Sequence, residues 1–343
     1  MKHKTFFWFI LPTFLAMLIF IFLPIISVVL QSVHTPHENV LITVENCDPF
    51  GCKKVTSIDH EATKNLNQSE PLGKFVGLDI YFDRGHLAIE NFKLIWENSE
   101  NIFSFVQSLS NLPFYKAVFF TLTFTFTVTP IMLLLGLLIA LGVNSISKKL
   151  RGIVIFFSLL PMIVTPLIGS IILFWMIDSR GIIGNLIQWL FDDPNLSLKA
   201  STTLTWIMLI VYGVWHAIPF SFIVFYAGLQ TVPKDQLESA KIDGANKFEE
   251  VIYIIIPHLM PLITFVTLMQ LMDNFRVFEP IIGFSAEAHA TSLSWIIYNA
   301  LRESGSPLFS SAGATSMITI IGVVILLVPL LVHTYRGYSQ KAN

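Results

Sequence analysis

Charge is scarce in this chain. Of its 343 residues only 13% are charged while 54% are hydrophobic, whereas soluble domains carry roughly a quarter charged residues. A soluble fold of this size lacks the interior to hide so much apolar side chain, so lipid is the expected solvent. Net charge is only −2, which gives no basic surface for a polyanion and excludes nucleic acid as an expected partner. Cysteine is nearly absent, with Cys47 and Cys52 alone, and no second Cys or His pair sits at ligand spacing, so no metal site is expected. No G-x-x-x-x-G-K-[S/T] loop occurs, so the chain has no ATP chemistry of its own. No nucleophile–base constellation appears either, and no catalytic residue is assigned. The abundant residue is Phe, with 30 copies, which suits lipid-facing and helix-packing surfaces.

Six apolar runs are long enough to cross a bilayer: residues 6–30, 117–143, 153–177, 202–232, 259–284 and 312–333. Hydrocarbon offers no partner for backbone groups, so each is expected to be helical. Pro130, Pro161, Pro166 and Pro219 fall inside runs, where they are expected to kink or locally break the helix. The first run is longer than a usual signal core and no A-x-A site follows it, so it reads as an uncleaved anchor. Lys and Arg set the orientation. With the amino terminus inside, the cytoplasmic segments hold Lys2, Lys4, Lys148, Lys149, Arg151, Lys234, Lys241, Lys247, Arg336 and Lys341, against Arg180, Lys199 and Arg302 in the short external loops. Both termini are therefore expected in the cytoplasm. Residues 31–113 become an external insert that carries both cysteines, and the Asp48-Pro-Phe-Gly51 between them is turn chemistry. An oxidising compartment makes a Cys47–Cys52 disulfide the expectation, with two free thiols the alternative.

Between the fourth and fifth runs, residues 230–257 read as a cytoplasmic helix–turn–helix. Pro233 and Asp235 start the first helix. Asp243-Gly244 breaks it, Gly being free to take a left-handed turn. A second amphipathic helix carries Phe248, Val251, Ile252 and Ile255, and Pro257 is expected to end it at the membrane. The spacing Glu238-Ser239-Ala240, three residues, Gly244, nine residues, Ile254, one residue, Ile256-Pro257 resembles the EAA loop of ABC importer permeases, departing at Ser239 and Ile256. The resemblance covers nearly the whole chain. Phe75-Val-Gly-Leu-Asp-Ile-Tyr81, Glu90-Asn-Phe-Lys93, Ala217-Ile-Pro-Phe220 and Ala227-Gly-Leu-Gln-Thr-Val-Pro233 are similar to segments of the sugar-permease, maltose-type branch. Gly283-Phe-Ser-Ala-Glu-Ala-His-Ala-Thr291 stands where that branch usually has Gly-Gly-Pro.

The resemblance implies an all-α integral membrane permease subunit with six spans, the core running over 114–343 and a small external insert after the first span. It implies half of a translocation pathway in the cell inner membrane for a carbohydrate or related polyol. It also implies three kinds of partner: a second permease subunit, usually a different chain in sugar importers although two copies of one kind are the alternative, two ATPase subunits that use the ATP, and an external solute-binding protein. The coupling loop would present Glu238 and Ala240 to a groove on the ATPase, with Gly244 setting the angle between its helices and Asp243 capping the second. Ionisable residues at membrane depth are costly and so are candidate pathway residues. Gln270, Asp273, Asn274, Arg276 and Glu279 cluster in the fifth run, where Asp273, Arg276 and Glu279 at i, i+3, i+6 would share a helix face. Carboxylate, guanidinium and carboxamide groups suit a polyhydroxylated ligand, and an internal salt-bridge network is the competing reading for Arg276 and Glu279. In the fourth run Trp215 and Phe220 flank Pro219 as candidate stacking rings, with interfacial or core packing as the alternative, and His216 reads as a helix–helix hydrogen-bonding residue. The competing functions are an ABC permease for a polyamine, phosphate ester or compatible solute, a secondary transporter, and last a membrane enzyme.

Overall fold

A computed structural model describes residues 3–48, 51–302 and 308–342. Helix α1, the first span, runs over Phe6–Gln31. The insert follows as β1 (His34–Thr35), β2 (Leu41–Asp48), β3 (Gly51–Ile58), α2 (His60–Ser69), β4 (Lys74–Phe75), α3 (Ile89–Asn98) and α4 (Ile102–Leu109). Then come α5 (Pro113–Ser145), α6 (Lys148–Ile163), α7 (Pro166–Met176), α8 (Ile182–Phe191) and α9 (Thr202–Leu229). The chain ends with α10 (Lys234–Ile242), α11 (Lys247–Phe275), α12 (Glu279–Gly283), α13 (Leu293–Arg302) and α14 (Phe309–Ala342). Five helices among the described residues are long and apolar enough to cross a membrane, or six when the bent pair α6 and α7 counts as one span.

Two compact units emerge, residues 1–115 with 296–320, and 116–295 with 321–343. In the first, β1 pairs antiparallel with β4, and β2 with β3 in a register that sets Cys47 opposite Cys52. The insert thus adds strands to an otherwise helical chain. The turn through Pro49 and Phe50 lies outside the described residues, as do the side chains of Cys47 and Cys52 and with them the expected disulfide. Asp59 caps α2 by accepting from the backbone N–H groups of Glu61 and Ala62. In this unit Tyr81 also donates to Ser32 at 2.7 Å, and Gly313 sits against the Val28 carbonyl and Ser32 backbone, where any side chain would crowd. The second unit has the main apolar core, in which Phe120, Phe124, Val128 and Met132 of α5 meet Leu209, Tyr212, Phe222 and Phe225 of α9, with Leu259 and Val266 of α11.

The structure corrects the spans in three places. The third is two helices bent by 95°. Thr165 precedes Pro166, and the proline ring pushes the preceding residue out of the helical region, so Val164 and Thr165 are both extended. Second, Pro257 does not end a helix: α11 runs on through it from the loop after α10 into the span. A π-turn over Val251–Ile255 lies just before Pro257, as another over Leu18–Phe22 lies just before Pro24. The wider turn accommodates the carbonyl that proline leaves without a donor. Third, α11 stops at Phe275, so the fifth span ends before the apolar run does. Arg276 follows at φ −100° and Glu279 opens the separate α12.

The connection from α7 to α9 is braced by Lys199, which donates to Asp178 at 2.8 Å and sits over the Phe174 ring. The hydrogen bond from Lys199, then that from the Arg180 backbone N–H, holds the Asp178 carboxyl below the usual carboxylate range. A lowered value means the brace is complete above ordinary carboxylate pKa and releases only as pH falls through the lowered one.

Candidate functional site: a cavity between spans and a helix–helix corner

A cavity of about 540 Å³ opens in the second unit. Tyr212, Gly213, His216, Ala217 and Phe220 of α9 form one wall, repeating about every fourth residue along one helix face. Met162 and Pro166, on either side of the break in the third span, form another. Gln270, Asp273 and Asn274 from the end of α11, with Arg276, Val277, Glu279 and Pro280, close it, and Phe124 of α5 also lines it. Of the sequence-predicted pathway residues, Gln270, Asp273, Asn274, Arg276, Glu279 and Phe220 come together here. Trp215 does not: it lies one residue off the lining face, 44% exposed on the outside of α9.

The wall is fixed by hydrogen bonds to the broken span. The Tyr212 hydroxyl donates to the Pro166 carbonyl at 2.6 Å, and His216 Nε2 lies 3.2 Å from the Val164 carbonyl. The Val164 carbonyl lies past the last turn of α6, where helical carbonyls lose their regular partners, whereas Pro166 opens α7 and its carbonyl points into that helix, so Tyr212 adds a bond there and does not replace a lost one. His216 thereby supplies the Val164 carbonyl with a partner that hydrocarbon cannot. Ser170 of α7 donates to the Leu167 carbonyl at 2.8 Å and approaches the Glu279 carbonyl at 3.5 Å. Gly283 of α12 packs so closely on Ser170 that a Cβ would collide with its hydroxyl. The short α12, and with it Glu279, is thereby held on α7.

At the cavity surface Arg276 donates to Asp273 at 2.9 Å, with both side chains about half exposed. Gln270 and Asn274 are buried. Asn274 Nδ2 donates to Thr129 Oγ1 at 3.0 Å, and Thr129 continues a buried row with Thr125 and Thr121 one and two turns earlier. Sequence reading missed Tyr212 and Thr129. The fourfold spacing Tyr212, His216, Phe220 was the available signal for the first, and the Thr121, Thr125, Thr129 repeat for the second. Thr129→Val keeps the shape but leaves an amide hydrogen of Asn274 unpaired. Intramembrane hydrogen bonds average about 0.6 kcal/mol and reach about 1.7. Thermal inactivation of the purified complex should shift by that order in Thr129→Val and hardly at all in Thr129→Ser.

The second feature is the corner between α10 and α11. Pro233 is extended and Asp235 sits in the first turn of α10. The helix ends in a Schellman motif: Gly244 takes φ +83°, its N–H donates to the Lys241 carbonyl at 3.2 Å, and Ala245 N–H donates to the Ala240 carbonyl at 2.9 Å. Asp243 is the C-cap of α10 and does not cap the second helix. Asn246 does so, accepting from the N–H groups of Phe248 and Glu249 at 3.0 Å each, while Glu249 reaches back to the Asn246 N–H at 2.7 Å. That is a capping box. Only Gly244 and Ala245 separate two finished helices, so the corner is stiff. Ser239, Ala240 and Asp243 face Tyr253, Pro257 and His258 across an open cleft of about 610 Å³. Glu238 is exposed outside that cleft.

The profile of the family described as "Binding-protein-dependent transport system inner membrane component" matches residues 132–336, a stretch that takes in both the cavity and the corner. The chain is 25% identical over 239 residues to the arabinooligosaccharides transport system permease protein AraP of Bacillus subtilis (strain 168), covering 69% of this chain and 75% of that protein. It is 27% identical over 249 residues to the trehalose/maltose transport system permease protein MalF of Thermococcus litoralis, covering 69% and 79%. In fold it resembles a chain of a bacterial ABC transporter involved in the import of the acidic polysaccharide alginate, with a TM-score of 0.66 at 19% identity over 98% of this chain and 96% of that one. The chain belongs to the family of inner membrane components of binding-protein-dependent transport systems, and is a multi-pass transport permease, not an enzyme.

Proposed function

We propose that this permease forms half of the pathway of an ATP-driven importer for a carbohydrate or related polyol. The cavity composition carries the reading. Two carboxamides and an Arg–Asp pair stand beside Tyr212 and Phe220 in about 540 Å³, a set that can hydrogen-bond hydroxyl groups and stack on a sugar face. Asp273 and Glu279 outnumber Arg276, which Asp273 already engages. An anionic solute such as a phosphate ester would meet net negative charge, so a neutral solute fits better. The named relatives transport arabinooligosaccharides and trehalose or maltose, which supports the same class. A second, different permease subunit completes the pathway, two ATPase subunits supply the ATP hydrolysis, and a solute-binding protein delivers the ligand. The cytoplasmic corner, with Glu238, Ser239, Ala240, Asp243 and Gly244, docks on the ATPase and transmits its closure to the span through the continuous α11.

The test is ATP hydrolysis by the reconstituted complex with its binding protein. Stimulation by the protein loaded with a neutral oligosaccharide is expected. Stimulation only by a polyamine- or phosphate-ester-loaded protein would overturn the solute class.

Both termini face the cytoplasm in this reading, on the Lys and Arg distribution. An alkaline-phosphatase fusion after Ser69 should be active and one after Ala245 inactive. The reverse pattern would invert the topology.

A further inference from the structure

Helix α8 has its apolar side outward. Ile182, Leu186, Trp189 and Leu190 recur along one stripe and are 77%, 58%, 77% and 66% exposed. The opposite side is the one that packs: Gly184 is buried against the Asp178 carbonyl, and Gln188 donates to the Leu196 carbonyl at 3.0 Å. A water-facing surface helix has the reverse polarity. The ten residues of α8 carry no charge. At about 1.5 Å per residue they are far too short to span a bilayer.

Position selects the occupant. Only a turn separates α8 from Met176, the last residue of α7, and Gly181 sits directly on the Trp175 and Met176 carbonyls. The Lys199–Asp178 brace and Lys199 over Phe174 hold the same turn. The first turn of α8 is therefore fixed at the end of a membrane span. Along α7, Ile168, Ile172 and Trp175 form an exposed apolar stripe, the surface such a span turns to lipid. The α8 stripe takes it up beyond the corner. Trp189 stands near the far end of α8, and among the described residues its indole N–H has no hydrogen-bond partner. Trp prefers the headgroup level, where the ring is apolar and the N–H is wet.

We propose that α8 is an interfacial helix, lying with Ile182, Leu186, Trp189 and Leu190 in the headgroup–acyl boundary of the leaflet at the end of the third span. In the orientation proposed above this is the outer leaflet. Its role is to anchor the α7–α9 connection, and so the cavity wall carried by the broken span, at a fixed depth.

The experiment uses the assembled transporter in phospholipid nanodiscs made with lipids brominated at shallow or deep acyl positions. Trp189 is one of seven tryptophans, and its emission is isolated as the difference between wild type and Trp189→Phe, which preserves the apolar stripe. An interfacial helix sits ~5–10 Å into the boundary. Shallow bromines should quench the difference signal by about twofold, and deep bromines much less, as for a ring held at headgroup level. Two results would overturn the proposal. No quenching by either lipid, with quenching by aqueous iodide, would put α8 in water. No quenching by lipid or iodide would mean that the second permease subunit covers it.

Discussion

Gly244→Val is expected to abolish solute-stimulated ATP hydrolysis while leaving the subunit inserted at normal abundance. The residue takes φ +83°, and a Cβ added there meets no atom within 4 Å. The substitution therefore acts through the backbone and not through a clash. A β-branched residue resists the left-handed region, at a cost on the order of 1–3 kcal/mol. Relief comes by leaving that region, which breaks the two bonds to Lys241 and Ala240 that finish α10. Because Asn246 fixes the start of α11 independently, the error appears as a changed angle between the two helices. Asparagine tolerates the left-handed region better than other side chains, so a graded series should follow: Gly244→Asn near wild type, Gly244→Ala intermediate, Gly244→Val uncoupled. Normal stimulated hydrolysis in Gly244→Val, measured on reconstituted complex, would falsify the coupling role of the corner.

The corner also shows what the sequence made legible. Gly244 as the turn residue follows from glycine's freedom at positive φ, and the spacing around it placed both helices. The capping residue did not follow, because Asp243 and Asn246 are both good N-caps. The Schellman bond from Ala245 back to Ala240 decides between them, since the second helix cannot begin until that bond is made. Apolar runs located the spans because hydrocarbon forces long helices. The break at Val164–Thr165 was foreshadowed by Pro166, but neither its 95° bend nor the contacts that Tyr212 and His216 make to it from another span can be read from the local sequence. Passage of α11 through Pro257 was not legible, since a π-turn leaves no mark in composition. The same gap misplaced Glu279: a shared face with Asp273 assumed one helix, and α11 ends at Phe275. Trp215 failed for a simpler reason. Adjacent helical residues point about 100° apart, so His216 on the cavity face puts Trp215 off it.

Asp273→Ala is expected to raise the half-saturation for solute uptake by about ten- to a hundredfold without reducing the amount of assembled complex. A carboxylate in the middle of hydrocarbon would need a strong partner to be retained, but Asp273 stands at the end of α11 on an open cavity, half exposed and one turn from Arg276. Exposed ion pairs contribute about 0–1 kcal/mol, so the pair is not what holds α11 in place. That work falls to the buried Asn274–Thr129 bond and to Leu259 and Val266 in the core. Removing Asp273 therefore leaves the framework intact and frees Arg276 to swing into the cavity. What is lost is a charge-assisted bond to a solute hydroxyl, about 1.5–3 kcal/mol. Arg276→Ala should be milder, because it leaves the carboxylate available and removes its competitor. Uptake against solute concentration, normalised to assembled complex, separates the cases. Unchanged half-saturation with less complex in Asp273→Ala would show that the pair holds helices together and that the solute is bound elsewhere.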